Sequence, residues 1–366
     1  MLLSISSPLG ILRHQSKIKK QKTPLPVTVL VPAFNEEKHL AQTLQSLMSQ
    51  TRPPERIIVI DDCSTDDTGD IARRAEVDVV RPTANTGSKA LAQNAALGRV
   101  DTPFAMTVDA DTVLAPNALE TIFKVFDDDV DQTIAAACGF VVPRYVRTIW
   151  ERGRYIEYLF SLTLHKPIQD FYQKPVVGSG CFCVYRTGLL KQLGGWSNRT
   201  VAEDMDLTWG FYGLGKVVRF VPDAVCYPVE PDTLSMLHTQ LRRWTHGFAQ
   251  NVKLHRGLWP RVPILRGLIA TAVIDTVLAF LLLFVIAPVM AVVQSPWWLM
   301  VYVIDLPIVA VPALAAGIKR REVGRVLVSL PCYVPLRLVN AWRSFEALVS
   351  EWILNRPLKT FVKGHA

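Results

Sequence analysis

The first patterned stretch is a short apolar, β-branched run, VTVLVPAF at 27–34. A continuous apolar run of this length predicts a buried strand. It stops at Asn35-Glu36-Glu37, where EKHLAQTLQSLMSQ predicts a helix. RIIVI at 56–60 predicts a second buried strand ending in Asp61-Asp62. Ser64, Thr65 and Asp66 then supply N-cap types for a helix through Ala75. Val77–Val80 and Pro103–Val108 predict two more strands, the latter ending at Asp109-Ala110-Asp111. Strand–helix alternation implies an α/β domain over residues 26–230, with a parallel sheet and helices on both faces.

The pattern changes after residue 230. Residues 231–265 predict amphipathic, interfacial helices that contain QLRRW at 240–244. Residues 267–293 and 297–318 are two apolar spans, each long enough for a bilayer, which needs about 20 residues. Both lie within 266–318, and the loop at Gln294–Pro296 is uncharged. Basic runs before Arg266 and at KRREVGR (319–325) flank the pair, so the positive-inside rule predicts a hairpin with both outer flanks cytoplasmic. Trp297 and Trp298 would then sit at the far interface, and Asp275 and Asp305 within the spans become functional suspects. Residues 319–366 hold a basic loop and a stretch, 326–354, interrupted by Pro331, Pro335, Arg337, Arg343 and Glu346. An interfacial or re-entrant helix is expected there, with a third span as the alternative, followed by a basic tail.

Composition sharpens this division. The net charge is +8 over 366 residues, yet acids concentrate early, in DDCSTDD and FDDDVD, while Thr233–Ile274 contains no Asp or Glu. A basic segment beside an apolar one favours lipid headgroups or phosphates. No zinc pattern or helix-turn-helix signal supports nucleic acid as a partner. The six cysteines lack metal-site spacing and are expected to be reduced, packed thiols. Residues 1–25 do not fit a secretory signal and are expected to form a disordered or membrane-touching basic arm.

Candidate chemistry follows from where the acids fall. Asn35/Glu36, Asp61/Asp62 and Asp109/Asp111 each come just past a strand end, where open α/β sheets bind ligands. Asp109 and Asp111, two apart in an extended segment, point to one side and suit a hard divalent cation. In NTGSKALAQNAALG at 85–98, Gly87 and Lys89 at a helix start suit a phosphate, without Walker A spacing. Gly178-Ser179-Gly180 allows close approach to the backbone, or is only a tight connection. Glu203, Asp204 and Asp206 cap a predicted helix, and one of them could equally accept a proton from an attacking hydroxyl. QLRRW reads either as a membrane-surface anchor or as a holder of a charged substrate.

PAFNEE, VIDDCSTDDT, TGSKALAQN, DAD, GSG, ED and QLRRW, in this order, resemble the family-2 glycosyltransferases of GT-A (Rossmann-like) fold over about residues 27–244. The likeness is to the membrane-embedded branch that includes the synthases of cellulose, chitin, hyaluronan and poly-N-acetylglucosamine. The resemblance implies inverting sugar transfer from a nucleotide sugar, expected to be UDP-linked, to a glycan acceptor, in single or repeated additions. Transfer of one sugar to a polyprenyl phosphate or other membrane lipid, and an inactive nucleotide-binding scaffold, are the alternatives. By position, Asn35, Glu36, Asp61 and Asp62 would line base and ribose. Lys89, Asp109 and Arg243 would meet the diphosphate, and Asp111, with Asp109, would hold Mg²⁺ or Mn²⁺. Gly178, Ser179, Gly180, Glu203, Gln240 and Trp244 would border the acceptor, and Asp204 would be the general base. The expected setting is an integral membrane protein with a cytoplasmic catalytic domain, membrane lipids as partners, and self-association left open.

Overall fold

A computed structural model of the protein describes residues 26–359. The basic arm expected at 1–25 and the end of the basic tail lie outside the described residues. The sheet has eight strands: β1 Val27–Ala33, β2 Arg56–Asp61, β3 Asp78–Val80, β4 Phe104–Val108, β5 Val113–Leu114, β6 Ile134–Val141, β7 Phe182–Arg186 and β8 Val217–Tyr227. Their order is β3-β2-β1-β4-β7-β6-β8-β5. The four strands read from the sequence form a parallel block, β3-β2-β1-β4. Val29, Leu30, Val31, Ile58, Val59 and Ile60 have no exposed surface, as continuous apolar strands between two helical layers require.

The sheet as a whole is mixed, which corrects the expected parallel sheet. β7 runs antiparallel to both β4 and β6, while β8 is parallel to β6 and antiparallel to β5. The reversal has a consequence for chemistry. An antiparallel β7 brings its N-terminal end, with Gly178–Gly180 just before it, to the C-terminal end of β4. Val108 pairs with Phe182, and Asp109 N donates to Cys181 O at 3.4 Å. The ends of β6 and β8 point to the same edge. One rim therefore collects the segments that follow β1, β2, β4 and β8 and the one that precedes β7.

Helices Ile149–Phe160, Leu234–Leu254 and Tyr333–Leu348 pack together beside this rim. Thr148 and Glu151 form a reciprocal capping box at the first of them. The third is the interrupted stretch expected to be interfacial; Glu351, just beyond it, is buried and accepts from Gln250 Nε2 (2.8 Å) and Leu358 N (3.0 Å) and bonds His246 Nδ1 (2.7 Å). The last described turn is thereby tied to the QLRRW helix.

Among the described residues, two segments are long and apolar enough to cross a membrane. Pro263–Val293 has 31 residues and a mean hydropathy of 2.8, with 11% of its most apolar window buried; Pro296–Arg320 has 25 residues at 2.1, with 17% buried. Their apolar surface thus faces outward, unlike that of a core helix. The chain turns back at Gln294-Ser295, and Tyr302 Oη donates to Leu283 O at 2.6 Å, so the hairpin turn is present. The second segment is not one straight helix. A 3₁₀ turn, Pro296–Tyr302, is followed by a break at Val303–Asp305 and then by the helix Leu306–Arg320, which packs on Ile149–Phe160. Asp305 at the break pairs with Arg337, whose Nη2 also donates to Tyr302 O at 3.0 Å. This suspect carboxylate is thus held by a partner, while Asp275 is exposed.

Candidate active site

The loops after β1 and β2 are stitched to each other. Asn35 adopts a positive φ of 54°, a conformation asparagine tolerates better than most residues. Its N–H donates to Ser64 Oγ (3.0 Å), and its Oδ1 accepts from Thr65 N (2.9 Å). Glu36 is buried and its N–H donates to Thr68 Oγ1 at 2.7 Å. Asp61 has no exposed surface; it accepts from Ser64 N at 2.9 Å and pairs with Arg81. It shapes the loop from within, at the end of β2 where the base and ribose were expected. Asp62 accepts from Thr86 N (2.8 Å) and Thr86 Oγ1 (2.9 Å), fastening the 85–88 loop to the end of β2.

That loop starts the helix Lys89–Leu97, where Ser88 caps by accepting from Leu91 N at 3.2 Å. Lys89 then reaches across the rim. It pairs with Asp109, stands 3.9 Å from Glu203 and donates to Gly180 O at 3.4 Å. Burial opposes its charge, but Asp109, Glu203 and Asp204 outweigh burial and hold its pKa above the ordinary lysine value. Burial pushes Asp109 upward; Lys89 pulls it down, Asp111 pushes it up again, and the balance stays up. Burial also raises Glu203, with Lys89 opposing.

Asp204 is half-buried in the first turn of the helix Glu203–Gly213. Its Oδ2 accepts from Gly180 N (3.0 Å) and its Oδ1 from Met205 N (2.8 Å). An ionised carboxylate has about four acceptor sites, so capacity for a proton remains. Gly180 is needed for this contact: a Cβ there would lie 3.1 Å from Asp204 Oδ2 and 3.4 Å from Lys89 Nζ. Gly178 N donates to Thr208 Oγ1 (2.9 Å), and Ser179 Oγ accepts from Lys166 (2.9 Å). The GSG turn therefore braces the acid–lysine cluster, besides any acceptor it borders.

On the helix Leu234–Leu254, Gln240, Arg243 and Trp244 share a face by their i, i+3, i+4 spacing. Arg243 lies near enough to Asp109 and Glu203 to offset part of the upward push that burial gives both. Gln240 is buried, and its Oε1 has no hydrogen-bond partner among the described residues. Trp244 rests on the Arg154 guanidinium, 4.6 Å from its ring centre. Arg154 is buried and donates to Glu230 Oε2 at 3.2 Å; Glu230 also accepts from Tyr158 Oη at 2.8 Å. Burial raises the pKa of Glu230, and Asp111 adds to the rise, so Glu230 belongs to the rim.

Glu230 and Arg154 were missed in the sequence. Glu230 follows β8 and obeys the same strand-end rule as the other acids; Arg154 carries no motif signal. Among the described residues no three His, Cys, Asp or Glu side chains converge as a metal cage. Asp111 is buried, and with Asp109 it supplies two carboxylates to one rim. That all-oxygen donor pair fits a hard divalent cation that takes its remaining ligands from substrate phosphates and water.

Residues 28–194 match the family model for glycosyl transferase family 2. Probable glycosyltransferase YdaM of Bacillus subtilis (strain 168) is 30% identical over 247 residues, covering 64% of this chain and 58% of the relative. Poly-beta-1,6-N-acetyl-D-glucosamine synthase of Staphylococcus epidermidis (strain RP62A) is 27% identical over 240 residues, 64% of this chain and 57% of that protein. The chain thus spans little more than half the length of these curated relatives. The mannosyltransferase PcManGT from Pyrobaculum calidifontis, solved with GDP-Man and Mn²⁺, shares the fold, with a TM-score of 0.58 at 22% identity over 90% of this chain and 88% of that one. The ordered motifs gathered on one rim lie largely in residues 28–194, the part of the chain that matches glycosyl transferase family 2.

Proposed function

We propose that the protein is an inverting, membrane-bound glycosyltransferase that moves a sugar from a nucleotide sugar to a hydroxyl of a glycan acceptor. The observation that carries this reading is the single rim where Lys89, Asp109, Glu203, Asp204 and the Gly180 backbone meet. The Asn35–Glu36 and Asp62–Thr86 loops flank the rim and offer the nucleotide its bed. Lys89 and Arg243 present fixed positive charge where the departing diphosphate gains negative charge, which is preorganised electrostatic stabilisation. Asp204, aimed by the Gly180 N–H, takes the proton of the attacking hydroxyl. Trp244, its ring backed by Arg154, offers an apolar face to an acceptor sugar. Asp109 and Asp111 would hold Mg²⁺ or Mn²⁺, which supplies further neutralisation of the leaving diphosphate when bound. The outward apolar surface of Pro263–Val293 and Pro296–Arg320 supports a membrane setting, with the basic flanks and the catalytic domain on the cytoplasmic side.

The test is release of nucleoside diphosphate from a panel of nucleotide sugars, UDP-linked first, by the purified full-length protein with Mn²⁺, followed by sizing of the product. Acceptor-dependent release from one donor supports the reading. Absence of release from every donor, with nucleotide still bound, points to a binding scaffold and rejects it. A ladder of product lengths marks repeated addition, and one product marks a single transfer.

A further inference from the structure

The stripe that carries Gln240, Arg243 and Trp244 does not end at the tryptophan. Gly247, Gln250 and Asn251 continue it at helical spacing along Leu234–Leu254. All three touch the irregular segment Thr200-Val201-Ala202, which leads directly into Glu203 and Asp204. Gly247 makes the closest approach: a Cβ there would lie 2.4 Å from Ala202 Cβ and 3.1 Å from Ala202 N. Gln250 Oε1 accepts from Val201 N at 3.0 Å, while its Nε2 donates to Glu351 Oε1 (2.8 Å) and Leu358 O (2.9 Å). Asn251 has no exposed surface, and its Nδ2 donates to Thr200 Oγ1 (3.2 Å), Ala202 O (3.2 Å) and Gly247 O (2.9 Å). Ala202 O also starts the ladder of the helix Glu203–Gly213 by accepting from Asp206 N at 3.2 Å. One side chain thus grips the helix it belongs to and the carbonyl that opens the helix of Asp204.

Packing alone does not explain an asparagine here. Its Oδ1 is buried without a hydrogen-bond partner among the described residues, a loss that an apolar side chain would avoid. What the amide supplies is direction. Hydrogen bonds weaken steeply off their preferred angles, so they fix the turn along and around the helix, where apolar contact alone would let it slide. The same helix sets Arg243 near Asp109 and rests Trp244 on Arg154. Trp244 and Asn251 are two turns apart on it, about 10 Å along its axis. A single rigid element therefore sets the spacing between the tryptophan face and the turn that carries Asp204.

We propose that Asn251, with Gly247 and Gln250, is a positioning residue that keys Trp244 to Asp204, so that an acceptor sugar on the tryptophan presents its hydroxyl to the carboxylate. The assignment rests on the sugar-transfer reading above. Misplacing reacting groups by about 1 Å can cost some 10²-fold in rate. Water that attacks the donor in place of the acceptor needs Asp204 but no tryptophan face. Asp204 keeps its bonds to Gly180 N and Met205 N when Asn251 is changed, so donor hydrolysis serves as the internal control. The test uses the full-length protein with Mn²⁺ and the nucleotide sugar selected from the panel above. Transfer to the glycan acceptor, acceptor-free hydrolysis and the melting temperature are measured for each variant. Asn251→Ala is expected to lower the kcat of transfer by about 10²-fold, with donor KM and hydrolysis close to those of the unaltered protein. Gly247→Ala, whose methyl meets Ala202, is expected to act likewise, and adding Ala202→Gly to it is expected to restore transfer. An equal fall in transfer and hydrolysis marks a merely structural role and overturns the proposal. Unchanged transfer in Asn251→Ala, or no rescue of Gly247→Ala, overturns it as well. If Asn251→Ala does not fold, the Gly247→Ala and Ala202→Gly pair decides. An unaltered protein that binds nucleotide yet transfers no sugar overturns the sugar-transfer reading itself, and the proposal falls with it.

Discussion

Asp204 and Gly180 act as one unit. The Gly180 N–H fixes Asp204 Oδ2 at 3.0 Å, and the Gly180 carbonyl takes a hydrogen bond from Lys89 at 3.4 Å. Asp204→Asn keeps the shape and removes the proposed proton acceptor. Turnover is expected to fall by about 10²–10⁴-fold, the usual worth of a general base, with nucleotide affinity retained. Near-normal turnover in that variant would reject the assignment. Gly180→Ala tests the support: its Cβ meets Asp204 Oδ2 at 3.1 Å, so turnover should drop while the melting temperature moves little. The pair Asp61 and Asp62 shows why residue roles resist reading from type alone. Both follow the same strand, but the first is sealed under Arg81 and the second faces the Thr86 loop.

At the scale of elements, helix contacts hold the rim in place. Arg154 on Ile149–Phe160 is buried between Glu230 after β8 and Trp244 on Leu234–Leu254. Arg154→Ala would leave Glu230 buried without its cation, a loss of about 3–5 kcal/mol by analogy with other broken buried pairs. Thermal unfolding of the purified variant should show a clearly lower midpoint. A second junction joins the helix Glu203–Gly213 to the end of the QLRRW helix. There Asp206 accepts from Arg199 Nε at 2.8 Å and bonds His255 Nε2 at 2.6 Å. Burial works against the charge on Asp206, but the hydrogen bonds from His255 and Arg199 outweigh it and hold its pKa below the usual carboxylate range. A depressed pKa stabilises the fold above the unfolded-state value, about 3.9, and that stability is lost as pH falls through the lower folded value. The melting gap between the protein and Asp206→Asn should therefore be full near neutrality and shrink only below about pH 4. A gap that instead widens in acid would contradict this.

For the whole molecule, the sheet domain and the apolar segments share a face made by Ile149–Phe160, Leu306–Arg320 and Tyr333–Leu348. Pro263–Val293, at 31 residues, is roughly 45 Å long as a helix, more than the ~30 Å of a hydrocarbon core, so a tilted span is accommodated. Sodium carbonate washing of membranes is expected to leave the protein in the pellet. Cysteine labelling at Ser295 should report the side opposite to Arg321. Extraction by carbonate, or labelling of both positions from one side, would refute the hairpin span.

The sequence by itself determined the α/β class, the acids at strand ends and the two apolar segments. Each is a local pattern: apolar run length, a turn after a strand, hydropathy over some twenty residues. Tertiary structure alone decided the rest. Nothing in the residues of β7 announces that it runs against β4 and β6, because strand direction depends on which neighbours it finds. That direction brings Gly180 to Asp204 and Lys89. The burial of Asp61, the inclusion of Glu230 and Arg154, and the break at Asp305 closed by Arg337 likewise come from partners 20 to 76 residues away, beyond the reach of any local pattern.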